Sequence, residues 1–96
     1  MSEQDVHWTY LSNHAHTIFL LSQEPDLRVR DLAGKIGITE RAVIRILGEL
    51  EGAGVLRRHR EGRRNRYEID GSTPLRHPLE RHVRLEELLG LLKRKS

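Results

Sequence analysis

Apolar residues along this chain fall into four stretches with distinct spacing. From Trp8 to Ser22, Trp8, Leu11, Ala15, Ile18 and Phe19 recur three or four residues apart with Leu21 at the edge, which predicts a first helix ending before Pro25. Leu32, Ala33 and Ile36 form a short second stripe, broken by Gly37, and Val43, Ile46, Leu47 and Leu50 form a third. The spacing predicts a two-helix unit over about 30–53, with a very short strand over Leu27–Val29 ahead of it and Gly54 in the left-handed position past its end. Val55–Arg60 and Asn65–Ile69 then read as two strands joined by a turn at Glu61-Gly62, with Leu56, Tyr67 and Ile69 turned inward. After a loop at Asp70–Pro74, a last helix is predicted from Pro78 to about Lys93. The fold class is mainly α with a small β-hairpin, a winged helix-turn-helix, in one domain spanning 1–96 with flexible ends at 1–7 and 94–96.

Charge changes what this outline means. Net charge is only +3, yet residues 28–66 carry eleven Lys and Arg against five acids, whereas residues 1–27 carry four acids and no Lys or Arg. Six of the ten residues from 57 to 66 are arginine, all on the hairpin. A basic block between acidic and near-neutral segments is the electrostatic outline of a polyanion-binding face, although a basic run is also compatible with a solvated surface. The third stripe sharpens the reading. With Val43, Ile46, Leu47 and Leu50 turned inward, Arg41, Arg45, Gly48 and Gly52 lie on the opposite side of the helix, with Ile44 on its shoulder. Arginine can grip a guanine edge with two parallel hydrogen bonds, and isoleucine can meet a thymine methyl. Thr39 is placed to cap this helix, with Glu40 in its first turn. The bland alternative for Arg41 and Arg45 is a solvated face partly paired with Glu49.

The remaining composition mainly excludes. No cysteine rules out disulfides and thiolate metal sites and fits the cytoplasm. The N-terminus lacks a secretory pattern, and the longest apolar run, Ile18–Leu21, is far too short to span a membrane. No phosphate loop, catalytic triad context or paired metal motif is present, so neither an enzyme nor a cofactor is expected.

Leu32-Ala33, Gly37-Ile38-Thr39, Val43, Leu47, Leu50-Glu51 and Gly54-Val55-Leu56 resemble the pattern of bacterial and archaeal winged-helix regulators of the ArsR and MarR type, over roughly residues 8–93. The resemblance implies a homodimer on a double-stranded DNA operator, with base contacts at Thr39, Glu40, Arg41, Ile44 and Arg45. It implies wing contacts at Arg63, Arg64 and Arg66, supported by Arg58 and Arg60. Terminal helices would pair between protomers through Trp8, Leu11, Ile18 and Leu21 on the first and Leu85, Leu88, Leu89 and Leu92 on the last. Metal-sensing ArsR members carry Leu-Cys-Val-Cys-Asp-Leu where this chain has Leu27-Arg28-Val29-Arg30-Asp31-Leu32, so the thiolate site is absent and the effector is unknown. His77, Glu80 and His82 are the remaining zinc candidates, and surface histidines are the preferred reading. Asn13, His14 and His16, with Tyr10 nearby, are the polar cluster with the chemistry to line an effector pocket, with exposure to water or capping of a neighbouring loop the preferred reading. The alternative function is a winged-helix module that binds RNA or a protein partner.

Overall fold

A serine decides where the first helix begins. Ser12 Oγ accepts the Ala15 amide at 3.2 Å, so α1 runs Asn13–Gln23, and the expected first turn from Trp8 lies outside it as irregular chain. The computed structural model describes residues 7–93, so, His7 apart, the expected flexible ends at 1–7 and 94–96, and the expectation of an N-terminus without a leader, fall outside the described residues. The predicted two-helix unit is present as α2 (Val29–Ile36) and α3 (Glu40–Gly52). Between them Gly37 adopts φ 86° while the Ile38 amide returns to the Ala33 carbonyl at 3.1 Å. A side chain at that φ is strained, so the turn that aims α3 depends on glycine. Thr39 caps α3 as expected, its Oγ1 accepting the Ala42 amide at 3.1 Å.

The hairpin consists of β1 (Leu56–Glu61) and β2 (Arg64–Ile69), paired antiparallel from Leu56↔Ile69 to Glu61↔Arg64. That register makes Gly62-Arg63 the two-residue turn, one position later than expected. Gly62 has φ 62° and Arg63 a negative φ, the pattern of a type II′ turn, whose twist suits a hairpin. Leu27–Val29 is not a strand. Instead the preceding loop lies along the free edge of β2, where Pro25 accepts the Tyr67 amide at 2.9 Å and Leu27 is buried.

Ile18, Leu21, Leu27, Leu32, Ala33, Val43, Ile46, Leu47, Leu50, Val55, Leu56, Tyr67 and Leu85 form one core. Each large aliphatic chain there contributes roughly 1.5–3 kcal/mol relative to exposure. The one buried polar side chain among the described residues, Thr17, donates to the Asn13 carbonyl at 2.8 Å. The burial corrects the expected dimer face: Ile18 and Leu21 are 5% and 1% exposed and Leu85 6%, so all three are consumed by their own protomer.

The last helix, α4, is shorter than predicted, Leu85–Leu92 rather than 78–93. Residues 76–82 form consecutive turns: His77 Nδ1 accepts the Leu79 amide, and the Glu80 and Val83 amides return to His77 and Glu80 carbonyls. The loop is closed by a small ladder about the bridge Pro74↔Arg84, with the Leu75 amide bound to Val83 and the Leu85 amide to Thr73. Glu87 Oε1 accepts the Arg84 amide at 2.8 Å and fixes the start of α4. No helix among the described residues is long and apolar enough to cross a membrane.

Candidate nucleic-acid interface

Because α3 devotes Val43, Ile46, Leu47 and Leu50 to the core, its other side is dictated by geometry. Glu40, Arg41, Ile44, Arg45, Gly48 and Glu49 are exposed. Ile44 is 60% exposed. An isoleucine so placed gives the protomer little stability, and its apolar surface leaves water only when something docks on α3.

The two arginines of this face have different surroundings. Arg41 has no ion pair or side-chain hydrogen bond among the described residues, whereas Arg45 Nη1 lies 3.5 Å from Glu49 Oε1, one turn further on. His14 on α1 reaches the same Oε1 at 2.7 Å. An ionised carboxylate only accepts, so the His14 Nε2 carries the hydrogen. That hydrogen bond, and after it the attraction of Arg45, holds the Glu49 carboxyl below its usual range.

The wing arginines divide by strand alternation. Leu56, Arg58, Arg60, Asn65, Tyr67 and Ile69 share the face that meets the core, and Arg57, His59, Arg64, Arg66 and Glu68 the other. On the first, Arg58 Nε lies 3.3 Å from Glu51 of α3, and Arg60 Nε donates to the Gly62 carbonyl across the turn. Both side chains remain exposed, but Arg58 is paired to α3 and Arg60 to the wing turn. On the second, Arg64 Nη2 donates to the Asp26 carbonyl at 2.8 Å, while Glu68 is shared by His59 at 3.1 Å and Arg57 at 3.9 Å. Arg63 and Arg66 have no such partner among the described residues. The wing tip and the start of α2 enclose a cleft of about 160 Å³ lined by Arg28, Val29, Arg63, Arg64, Asn65 and Tyr67 among others.

Residues 12–63, from the α1 cap to the wing turn, match the MarR family. The chain belongs to the MarR family. Members of that family are transcription regulators, not enzymes. Among solved structures, a zinc-responsive MarR family member, ZitR of Lactococcus lactis, aligns with TM-score 0.53 and 18% identity over 73% of this chain and 50% of its own. This MarR chain therefore spans about half the length of that structure, and the likeness establishes the shared winged-helix fold. No curated protein matches the sequence.

The family match covers Thr39, Glu40, Arg41, Ile44, Arg45, Arg58, Arg60 and Arg63, but not Arg64, Arg66 or α4. The other candidate clusters do not converge. His16 Nδ1 is hydrogen-bonded to Asn13, Tyr10 is 92% exposed against the edge of Trp8, and His77 and His82 stand in the loop before α4 rather than on it. Among the described residues no group of three His, Asp or Glu side chains is placed to hold a metal ion. Contacts invisible to periodicity are His14–Glu49, Arg58–Glu51 and Arg64–Asp26. Only the spacing of Arg45 and Glu49, four apart on one helix, signalled any of this network.

Proposed function

We propose that this MarR-family chain is a sequence-specific double-stranded DNA-binding transcriptional regulator, with α3 in the major groove and the wing on the backbone or minor groove. The observation that carries the reading is the exposed surface of α3. Arg41, Ile44 and Arg45 stand on a helix whose opposite side is locked into the core, beside a hairpin on which Arg63 and Arg66 have no partner among the described residues. A rigid helix offering guanidinium groups and one aliphatic side chain matches the hydrogen-bonding and methyl pattern of the major groove. Thr39, Glu40 and the first-turn amides meet the adjacent backbone or bases, and Arg63 and Arg66 neutralise phosphate, with Arg64, Arg58 and Arg60 shaping the wing.

The working form is a homodimer. Leu91 is 84% and Leu92 36% exposed, Trp8 is 67% exposed, and Leu11, Leu88 and Leu89 are half-buried, so apolar surface remains near both ends of the chain. Two copies would meet half-sites about 34–36 Å apart on a pseudo-palindrome.

Selection of bound duplexes from a random pool, followed by titration at several salt concentrations, tests the reading. A recovered motif is expected, with log affinity falling against log salt by about 0.9 per phosphate neutralised. Arg45→Ala should blunt discrimination between the motif and random duplex, and Arg66→Ala should weaken both alike. No duplex affinity at low salt, or equal preference for single-stranded RNA, would refute it.

A further inference from the structure

We propose that Glu49 and His14 are positioning residues for Arg45, so that the charge of His14 sets how readily Arg45 engages DNA. The inference rests on the DNA-reading role of α3 and adds a control to it. Glu49 stands one turn beyond Arg45, and its Oε1 is shared between the Arg45 guanidinium at 3.5 Å and the His14 ring at 2.7 Å. One carboxylate oxygen thus serves two donors from two helices. When His14 is neutral, Glu49 retains a full negative charge for Arg45, which must be displaced before Arg45 can turn to a base or phosphate. When His14 is protonated it neutralises Glu49, the three groups gain one positive charge, and Arg45 is released toward the polyanion.

The surroundings allow this to act locally. From α3, the groups facing His14 are Glu49 and, through it, Arg45. On α1 itself His16 is turned to Asn13. Among the described residues no carboxylate of α2, β2 or α4 comes within 4.0 Å of the His14 ring nitrogens. His59, bound to Glu68 on the wing, is a second imidazole near an acid and is the control.

The test is affinity of the full chain for a duplex of about 30 base pairs, long enough for two half-sites, carrying the motif recovered by selection. It is measured at fixed ionic strength between about pH 8 and about pH 6, the range in which imidazoles change charge. Wild-type affinity is expected to rise as pH falls, with a local contribution of roughly two- to fivefold, the range an exposed ion pair spans. Glu49→Gln should bind more tightly than wild type at the upper pH and lose that contribution. His14→Gln should keep the weaker upper-pH affinity and lose it too, while His59→Gln retains it. An affinity of Glu49→Gln at the upper pH equal to or below wild type, with its melting temperature unchanged, overturns the proposal, as does a wild-type pH profile in His14→Gln. These outcomes leave DNA reading by α3 intact; absence of duplex binding by the wild type removes both.

Discussion

The Arg64 guanidinium donates to the backbone carbonyl of Asp26 across 38 residues of sequence, at 2.8 Å, and so ties the outer strand of the wing to the connection between α1 and α2. Beside it, the Tyr67 amide is bound to Pro25. β2 is thus bonded along both edges, to β1 on one and to the α1–α2 loop on the other.

This anchor separates two arginines that sequence alone treats as equivalent. Arg64→Ala should expose the Tyr67 amide, accelerating its hydrogen exchange by about two- to tenfold, the worth of one hydrogen bond, and should weaken duplex binding through wing mobility. Arg66→Ala should leave that exchange rate unchanged while lowering the salt slope by about one. Residue-resolved exchange together with salt titration distinguishes them.

Thr39 closes the first turn of α3 through its Oγ1, which accepts the Ala42 amide. Thr39→Ala should cost about 0.5–2 kcal/mol in denaturant unfolding, whereas Thr39→Ser should restore most of it and retain binding.

Leu91 and Ile18 make opposite predictions for assembly, although both lie on terminal helices. Leu91→Glu, at an exposed position, should shift sedimentation from dimer to monomer with little change in protomer melting. Ile18→Ala, at a position 5% exposed, should instead destabilise the fold, by about 2–5 kcal/mol. A dimer unaffected by Leu91→Glu would exclude the end of α4 from the interface.

Acid should weaken the fold through two carboxylates. Hydrogen bonds from His14 hold Glu49 below its ordinary range, and those from the Ser72 hydroxyl and amide do the same for Asp70. A depressed carboxylate stabilises the native state above its unfolded pKa and loses that contribution as pH falls through the folded one. Urea midpoints measured from neutrality to about pH 3 should therefore decline less steeply in Glu49→Gln and Asp70→Asn than in wild type.

The helix pair and hairpin were legible because their signals are local. A 3.6-residue stripe in α3, a glycine between two stripes and an arginine-rich segment around Gly62 each depend on near neighbours. Legibility failed where a local signal competed with a second one. Trp8 and Leu11 continue the α1 stripe, but Ser12 stops it by capping. Pro78 reads as a helix start, yet the turns around His77 and Glu80 delay α4 to Leu85. The surface of α3 was correctly separated into inward and outward residues, but its pairing was not recoverable. His14 meets Glu49 only because α1 crosses α3, and no spacing within either helix encodes that crossing.

The ladder that joins Thr73–Leu75 to Val83–Leu85 brings the two ends of the intervening loop side by side. Closing such a loop costs little more as it lengthens, since each doubling adds only about 0.6 kcal/mol. The segment 76–82 is therefore a natural point for the chain to gain or lose residues, or to accept a grafted peptide, without disturbing α3 or α4.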